Sequence, residues 1–274
     1  MIIDGRAIAK DILARTRARA ETLPHPPRVL AIVVSETPAT LSYLKIKEMR
    51  AADAGCMLEI ERFPLEVSAA ELRSAASSAV ADAVIVQLPL PESIDTKEVC
   101  NAIPLLKDAD VLSSGAREKF ERAEEDALLP PVVGAVREVC MRNHVTLEGK
   151  NTVVIGNGWL VGNPCAIWLK QQGAVVSVLT SESKDMREAL GEADIIISGA
   201  GVPGLIKPDF LKPGVVLIDA ATSESNGIIA GDADPACAQK CSIFTPVPGG
   251  IGPLAVACLF ENAVTLAEKA MSTP

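Results

Sequence analysis

The sequence has 274 residues, 49 % hydrophobic and 22 % charged. That balance supports a buried core in one or two domains and excludes collagen, coiled coil and disorder. A net charge of −9 gives no overall attraction to nucleic acid or anionic membrane, and two His leave little material for a zinc or haem site.

Five Phe, two Trp and one Tyr are too few for a base-stacking platform. No apolar run reaches the roughly 20 residues of a membrane span. The start, Met1–Arg6, lacks the apolar core of a signal peptide. Cys56, Cys100, Cys140, Cys165, Cys237, Cys241 and Cys258 are odd in number and scattered, which reads as reduced, buried thiols in a cytoplasmic protein. Cys237 and Cys241 would share a helix face, without further metal ligands nearby.

Ile8, Ile12, Leu13 and Leu23 recur at helical spacing, predicting a helix over Ala7–Leu23 that ends at Pro24–Pro27. Arg28–Val34 is a β-branched run and reads as a buried strand. After a loop at Ser35–Thr40, Leu41–Ala54 reads as a helix closed by Gly55. Met57–Phe63 is a second strand, Ser68–Ser78 a capped helix and Ala83–Val86 a third strand. This alternation predicts a parallel sheet with crossover helices. Asp108–Asp126 shows no period and reads as irregular.

A tighter alternation follows. Val132–Met141, Gly162–Gln172 and Ser183–Leu190 read as helices. Thr152–Ile155, Val175–Leu179, Asp194–Ser198 and Val215–Asp219 read as strands. Leu254–Ala270 is a final helix, apolar at Val256, Leu259, Phe260, Ala263, Val264 and Ala267. The expected fold is therefore α/β in two domains, with a boundary near 120–145.

Five motifs could carry chemistry. In Gly156-Asn157-Gly158-Trp159-Leu160-Val161-Gly162 a strand runs into a glycine turn and a helix, the setting for a dinucleotide phosphate. The spacing is G-x-G-x-x-x-G rather than G-x-G-x-x-G. Thr245–Pro253 holds three Pro and three Gly, a fixed loop that can grip a ligand edge or simply stiffen a turn. Tyr43 and Lys47 share a helix face beyond the first strand. There a lysine of lowered pKa can move protons, although most lysines are merely solvated. Gln87 ends a buried strand before Pro89 and Pro91, so its amide needs a partner. Asp108 and Asp110 stand in an acidic loop.

In this order the motifs resemble the FolD family, the bifunctional methylenetetrahydrofolate dehydrogenase/methenyltetrahydrofolate cyclohydrolases, over almost the whole chain. Ile3-Asp4-Gly5-Arg6 looks like the family start. Tyr43 with Lys47 matches its Tyr-x-x-x-Lys, Val86–Pro91 its Val-Gln-Leu-Pro-Leu-Pro, and Lys107–Asp110 its Lys-Asp-x-Asp. Gly156–Pro164 is similar to its glycine turn, and Pro248–Pro253 matches its Pro-Gly-Gly-x-Gly-Pro.

The resemblance implies an N-terminal folate-binding catalytic domain, 1–125, completed by helix 254–274, and a Rossmann-like NAD(P)-binding domain, 126–253. It implies hydride transfer from 5,10-methylenetetrahydrofolate to NADP, with NAD possible, and hydrolysis of the methenyl product to 10-formyltetrahydrofolate. Lys47 is implied as acid/base, Gln87 as its hydrogen-bond partner, Asp110 as a pterin acceptor and Tyr43 as a stacking ring. Pro248, Gly249, Gly250, Gly252 and Pro253 are implied at the folate. Gly156, Asn157, Gly158, Val161, Gly162, Ala200 and Thr222 are implied at the cofactor. A cytoplasmic homodimer through the cofactor domain, supplying purine biosynthesis, is also implied. No metal is expected, because the folate's own nitrogen lone pair drives hydride loss.

Departures gather on the cofactor side. Leu129–Gly134 replaces Pro-Cys-Thr-Pro-x-Gly, and Asn157-Gly158 stands where many members carry Arg-Ser. Leu179-Thr180 ends the second strand of the domain. Ala220–Ser223 follows Asp219, Val111 follows Asp110 in place of glycine, and Ala255 replaces threonine. Lys184 and Arg187 remain as candidate partners for a 2′-phosphate. The alternatives are a paralogue with cyclohydrolase activity only, a non-catalytic folate- or nucleotide-binding protein, and an ordinary Rossmann dehydrogenase of a small hydroxy or amino acid.

Overall fold

Val29–Val33 is buried at every position because its strand lies at the centre of a sheet. In the computed structural model the backbone is described for residues 1–34, 38–225 and 228–272, and side chains for residues 1–34, 44–223 and 229–271. The chain divides into two units: residues 10–131 with 256–274, and residues 1–9 with 132–255.

The first unit has a three-stranded parallel sheet. Arg28–Val33 (β1) pairs with Met57–Arg62 (β2) on one side and Ala83–Val86 (β3) on the other. Helix Pro38–Asp53 (α2) connects β1 to β2, and helix Ala69–Ser78 (α3) connects β2 to β3. A capping box starts α3: Glu71 N donates to Ser68 Oγ, and Ser68 N donates to Glu71 Oε2 at 2.9 Å. Gly55, at φ 75, turns the chain out of α2 into β2. The loop expected at Ser35–Thr40 lies outside the described residues at 35–37, and the helix already runs from Pro38.

The second unit is a five-stranded parallel sheet in the order Ile243–Phe244 (β10), Val216–Asp219 (β7), Ile195–Ser198 (β6), Asn151–Ile155 (β4), Val175–Leu179 (β5). Helix Gly162–Gln171 (α7) links β4 to β5, and Met186–Glu192 (α8) links β5 to β6. The first residues extend this sheet's edge: Phe244 N donates to Met1 O and Ile3 N to Phe244 O, both at 2.9 Å. Residues 1–9 therefore group with 132–255, whereas the sequence placed the whole of 1–125 in one domain.

Other corrections concern short elements. The stretch expected to be irregular contains helix Ser114–Glu121 (α5), preceded by helix Thr96–Cys100 (α4). Asp95 and Ser113 cap them through side-chain oxygens. In α5 only Ala116 and Phe120 are buried, too few apolar positions to set a visible period. Helix α8 starts at Met186 rather than Ser183, because Ser183 Oγ accepts from Thr180 N and Asp185 is left-handed at φ 60. A two-stranded antiparallel piece, Ser223–Ser225 (β8) with Ile228–Ala230 (β9), and the short β10 were not expected.

The last helix, Ile251–Ser272 (α9), begins inside the proline–glycine loop; Pro253 is tolerated because it lies in the first turn. Its stretch Ile251–Met271 is long and apolar enough to cross a membrane, which corrects the expectation that no run is. More than half of it is buried, as in a core helix. In the first unit, α9 lies against helix Gly5–Ala20 (α1): Arg15 and Arg19 donate to Glu261 and Glu268. All seven Cys are free and buried.

Candidate active site

In the first unit, three polar side chains meet at the carboxyl end of the parallel sheet. Lys47 is on α2, Gln87 follows β3 directly, and Asp110 follows the segment that bridges β3 at Val84. Lys47 Nζ donates to Gln87 Oε1 at 2.9 Å. Gln87 spends its own N–H on Leu88 O at 2.8 Å, which fixes the amide with its oxygen toward the lysine. Both are half-buried. Burial lowers the Lys47 pKa, against the pull of Asp110. Burial likewise pushes the Asp110 carboxyl up to about 6; Lys47 opposes the shift and Asp108 adds to it. Asp108 is committed elsewhere: it accepts from Leu112 N and Ser113 N and so builds the turn behind Asp110. Burial thus shifts the amine down and the carboxyl up, toward one another, as suits groups that transfer protons. Tyr43 lies one turn before Lys47 on α2, and its side chain is outside the described residues. Lys45 is exposed.

The second unit holds the glycine turn between β4 and α7. Gly156 has φ 89, which favours glycine. A Cβ on Gly162 would lie 2.0 Å from Gly156 O, so only glycine permits this close return of the chain. At Gly158 a Cβ would meet nothing within 4 Å, and Asn157 and Gly158 are exposed. No side chain caps α7 at Val161. The turn thus offers open backbone, N–H groups and a positive helix end, and fits a dinucleotide phosphate.

Sequence reasoning missed the group that shapes the neighbouring loop. Asp232, fully buried, accepts from Ser198 Oγ at 2.5 Å, Ala200 N at 2.8 Å and Val202 N at 2.6 Å. The backbone N–H of Ala200 is therefore already used. Asp219, at the end of β7, accepts from Ala221 N and Ala233 N. Burial pushes its carboxyl up to about 6. The only sequence signal was the acids at two strand ends, Asp219 in one segment and Asp232 with Asp234 in the other. Thr222 is exposed beyond this network.

The proline–glycine segment also belongs to the second unit. Gly5 N donates to Gly249 O at 2.9 Å, and a Cβ on Gly5 would lie 1.9 Å from Gly250 O. Pro248 and Gly252 are exposed, Gly249 and Pro253 half-buried and Gly250 buried. Arg187, a candidate for a 2′-phosphate, is engaged elsewhere: it pairs with Asp209 at 2.8 Å and covers the Phe210 ring at 5.4 Å. Among the described residues no cluster of His, Cys, Asp and Glu could hold a metal ion.

Two family models match the chain: tetrahydrofolate dehydrogenase/cyclohydrolase, catalytic domain, over residues 3–110, and the NAD(P)-binding domain of the same family over residues 130–271. The bifunctional protein FolD of Hydrogenobaculum sp. is 35 % identical over 269 residues, covering 96 % of this chain and 97 % of its own. That of Methanococcoides burtonii is 34 % identical, with 98 % and 96 % covered. The crystal structure of the bifunctional FolD enzyme from Campylobacter jejuni superposes with a TM-score of 0.94 at 29 % identity, covering 98 % and 99 %. That of the Trypanosoma brucei enzyme, complexed with NADP and an inhibitor, gives 0.93 at 28 %, covering 99 % and 98 %. With matches over both its halves, the chain belongs to the tetrahydrofolate dehydrogenase/cyclohydrolase family.

Proposed function

We propose that this protein oxidises 5,10-methylenetetrahydrofolate with a nicotinamide dinucleotide and hydrolyses the methenyl product to 10-formyltetrahydrofolate. The observation that carries the reading is the 2.9 Å Lys47–Gln87 hydrogen bond beside Asp110, with burial lowering the lysine and raising the carboxyl. When bound, the nicotinamide accepts the hydride that leaves the folate's methylene carbon. The chain's task there is to hold the dinucleotide, for which we assign Gly156, Asn157, Gly158, Val161, Gly162, Ala200 and Thr222. NADP is the cofactor that the trypanosomal relative's structure holds.

Hydrolysis needs more of the side chains. Water adds to the methenyl carbon and loses a proton, and the carbon–nitrogen bond of the five-membered ring then opens as its nitrogen gains one. Lys47 is assigned to both proton transfers, since its lowered pKa makes the free amine available at lower pH than for a solvated lysine. Gln87 Oε1 positions it. Asp110 accepts hydrogen bonds from the pterin, Tyr43 stacks against it, and Pro248, Gly249, Gly250, Gly252 and Pro253 offer backbone to the substrate. The resemblance further supports a cytoplasmic homodimer, paired through the cofactor domain and feeding purine biosynthesis.

The purified protein should convert methenyltetrahydrofolate to the 10-formyl form, read as loss of methenyl absorbance over the buffer-catalysed rate. Lys47→Ala should lower that rate by about 100-fold or more. Full activity in this variant removes Lys47 from its role.

A further inference from the structure

We infer that Glu182 is a specificity-determining residue that turns this nicotinamide site toward NAD and against NADP. The inference rests on the dinucleotide site proposed above and concerns the far end of the ligand, the adenosine ribose.

In a Rossmann arrangement the pyrophosphate lies at the first strand–helix turn. The adenosine ribose lies beyond the end of the second strand, where an acid some 20 residues downstream accepts from the 2′-OH and an arginine accommodates a 2′-phosphate. Here β4 and β5 are those strands, parallel and paired from Asn151↔Val175 to Ile155↔Leu179. Their ends are level, so the residues after Leu179 flank the glycine turn after Ile155; Gly156 N donates to Leu179 O at 2.8 Å. Beyond Leu179 comes a built turn, not a slack loop. Thr180 N donates to Ser183 Oγ at 2.9 Å, and Glu182 N donates to Thr180 Oγ1 at 3.3 Å. This turn fixes the backbone of Glu182, whose side chain is exposed and has no partner among the described hydrogen bonds and ion pairs.

Of the cations that could hold a 2′-phosphate, this segment offers one. Asn157 and Gly158 carry no charge, and neither do Thr180, Ser181 and Ser183. Arg187 is held by Asp209 and Phe210. Lys184 is the one cation left in this segment; it is exposed and is followed by Asp185. A phosphate dianion placed here would face the carboxylates of Glu182 and Asp185 with Lys184 as its single counter-charge. A ribose 2′-OH meets an acceptor. The same residue therefore attracts one ligand and repels the other, and the discrimination is built as much from repulsion as from attraction.

The test is equilibrium binding of NAD+ and NADP+ to the full-length protein, followed by Trp fluorescence or calorimetry, at two salt concentrations. The wild type should bind NAD+ roughly tenfold tighter than NADP+, and the ratio should shrink as salt screens the exposed carboxylate. Glu182→Gln should tighten NADP+ while keeping an acceptor for the 2′-OH. Glu182→Arg should invert the preference. The position is exposed, and an unchanged thermal transition in both variants will show that folding is intact. Equal or tighter NADP+ binding by the wild type, or a ratio unmoved by both substitutions, overturns the inference and leaves the dinucleotide site standing. Failure of both cofactors to bind removes the dinucleotide reading and the inference with it.

Discussion

Lys47 and Asp110 are displaced from their ordinary ionisation in opposite directions by one cause, the cost of burying charge. Their shifts predict the pH profile. Asp110, with a carboxyl near 6, accepts hydrogen bonds as a carboxylate above that value and takes up a proton as the pH falls through it. Lys47 is the reverse case: its lowered pKa makes the free amine available at lower pH than for a solvated lysine. Hydrolysis should therefore fall on the acid side with a midpoint near 6 and rise toward the lysine's pKa above it. In Asp110→Asn, kcat/KM should drop roughly tenfold to a hundredfold, and the acid limb near 6 should vanish. An acid limb unchanged in the variant would assign it to another group. The lysine was legible in the sequence as one half of a Tyr-x-x-x-Lys pair. The state of Asp110 was not, because it depends on what the fold wraps around it. Val111 was visible only as a departure from glycine. The structure gives it φ 58 in a buried position, a strained conformation for a β-branched residue next to the candidate acceptor.

Elements were legible where periodicity ran long enough to see. The strand β5, Val175–Leu179, and the strand β3, Ala83–Val86, fall where the apolar runs put them. The helix α5 was missed because its cap and two buried residues carry no period, and the β8–β9 pair because three-residue strands show no alternation. The glycine turn between β4 and α7 was legible in kind but not in its tightest contact. The contact that requires glycine is at Gly162, not at Gly158. Gly162→Ala would drive a methyl group to 2.0 Å from Gly156 O, against backbone that cannot rotate away. It should cost about 3 kcal/mol of stability and weaken nicotinamide binding together. Gly158→Ala, with nothing within 4 Å of the added methyl, should leave the melting temperature unchanged. Chemical denaturation of the two variants compares them; equal stabilities would show that the turn yields where the geometry says it cannot.

At the scale of the molecule, both units are assembled from segments distant in sequence, which composition and local pattern could not show. The unit of residues 10–131 is incomplete until α9 has been added from residue 256 onward. Asn262 donates to Ala109 O and Leu129 O, both at 2.9 Å. Arg15 and Arg19 reach Glu261 and Glu268 on the same helix. Leu259, Phe260, Val264 and Leu266 are each at most 3 % exposed. Burying four such side chains contributes about 8 kcal/mol, comparable with the whole stability of an ordinary domain. The ion pairs, partly exposed, add little beside that. A chain ending at residue 255 should therefore lose cooperative folding in the unit that carries Lys47, Gln87 and Asp110. The five-stranded sheet keeps every strand and its N-terminal edge, so that unit should stay folded. Hydrogen exchange read by mass spectrometry separates the two outcomes. Peptides from β1 and β3 should exchange at once in the truncated chain, and peptides from β4 and β6 should remain protected. Retained protection of β1 would mean that α9 covers a core that holds without it.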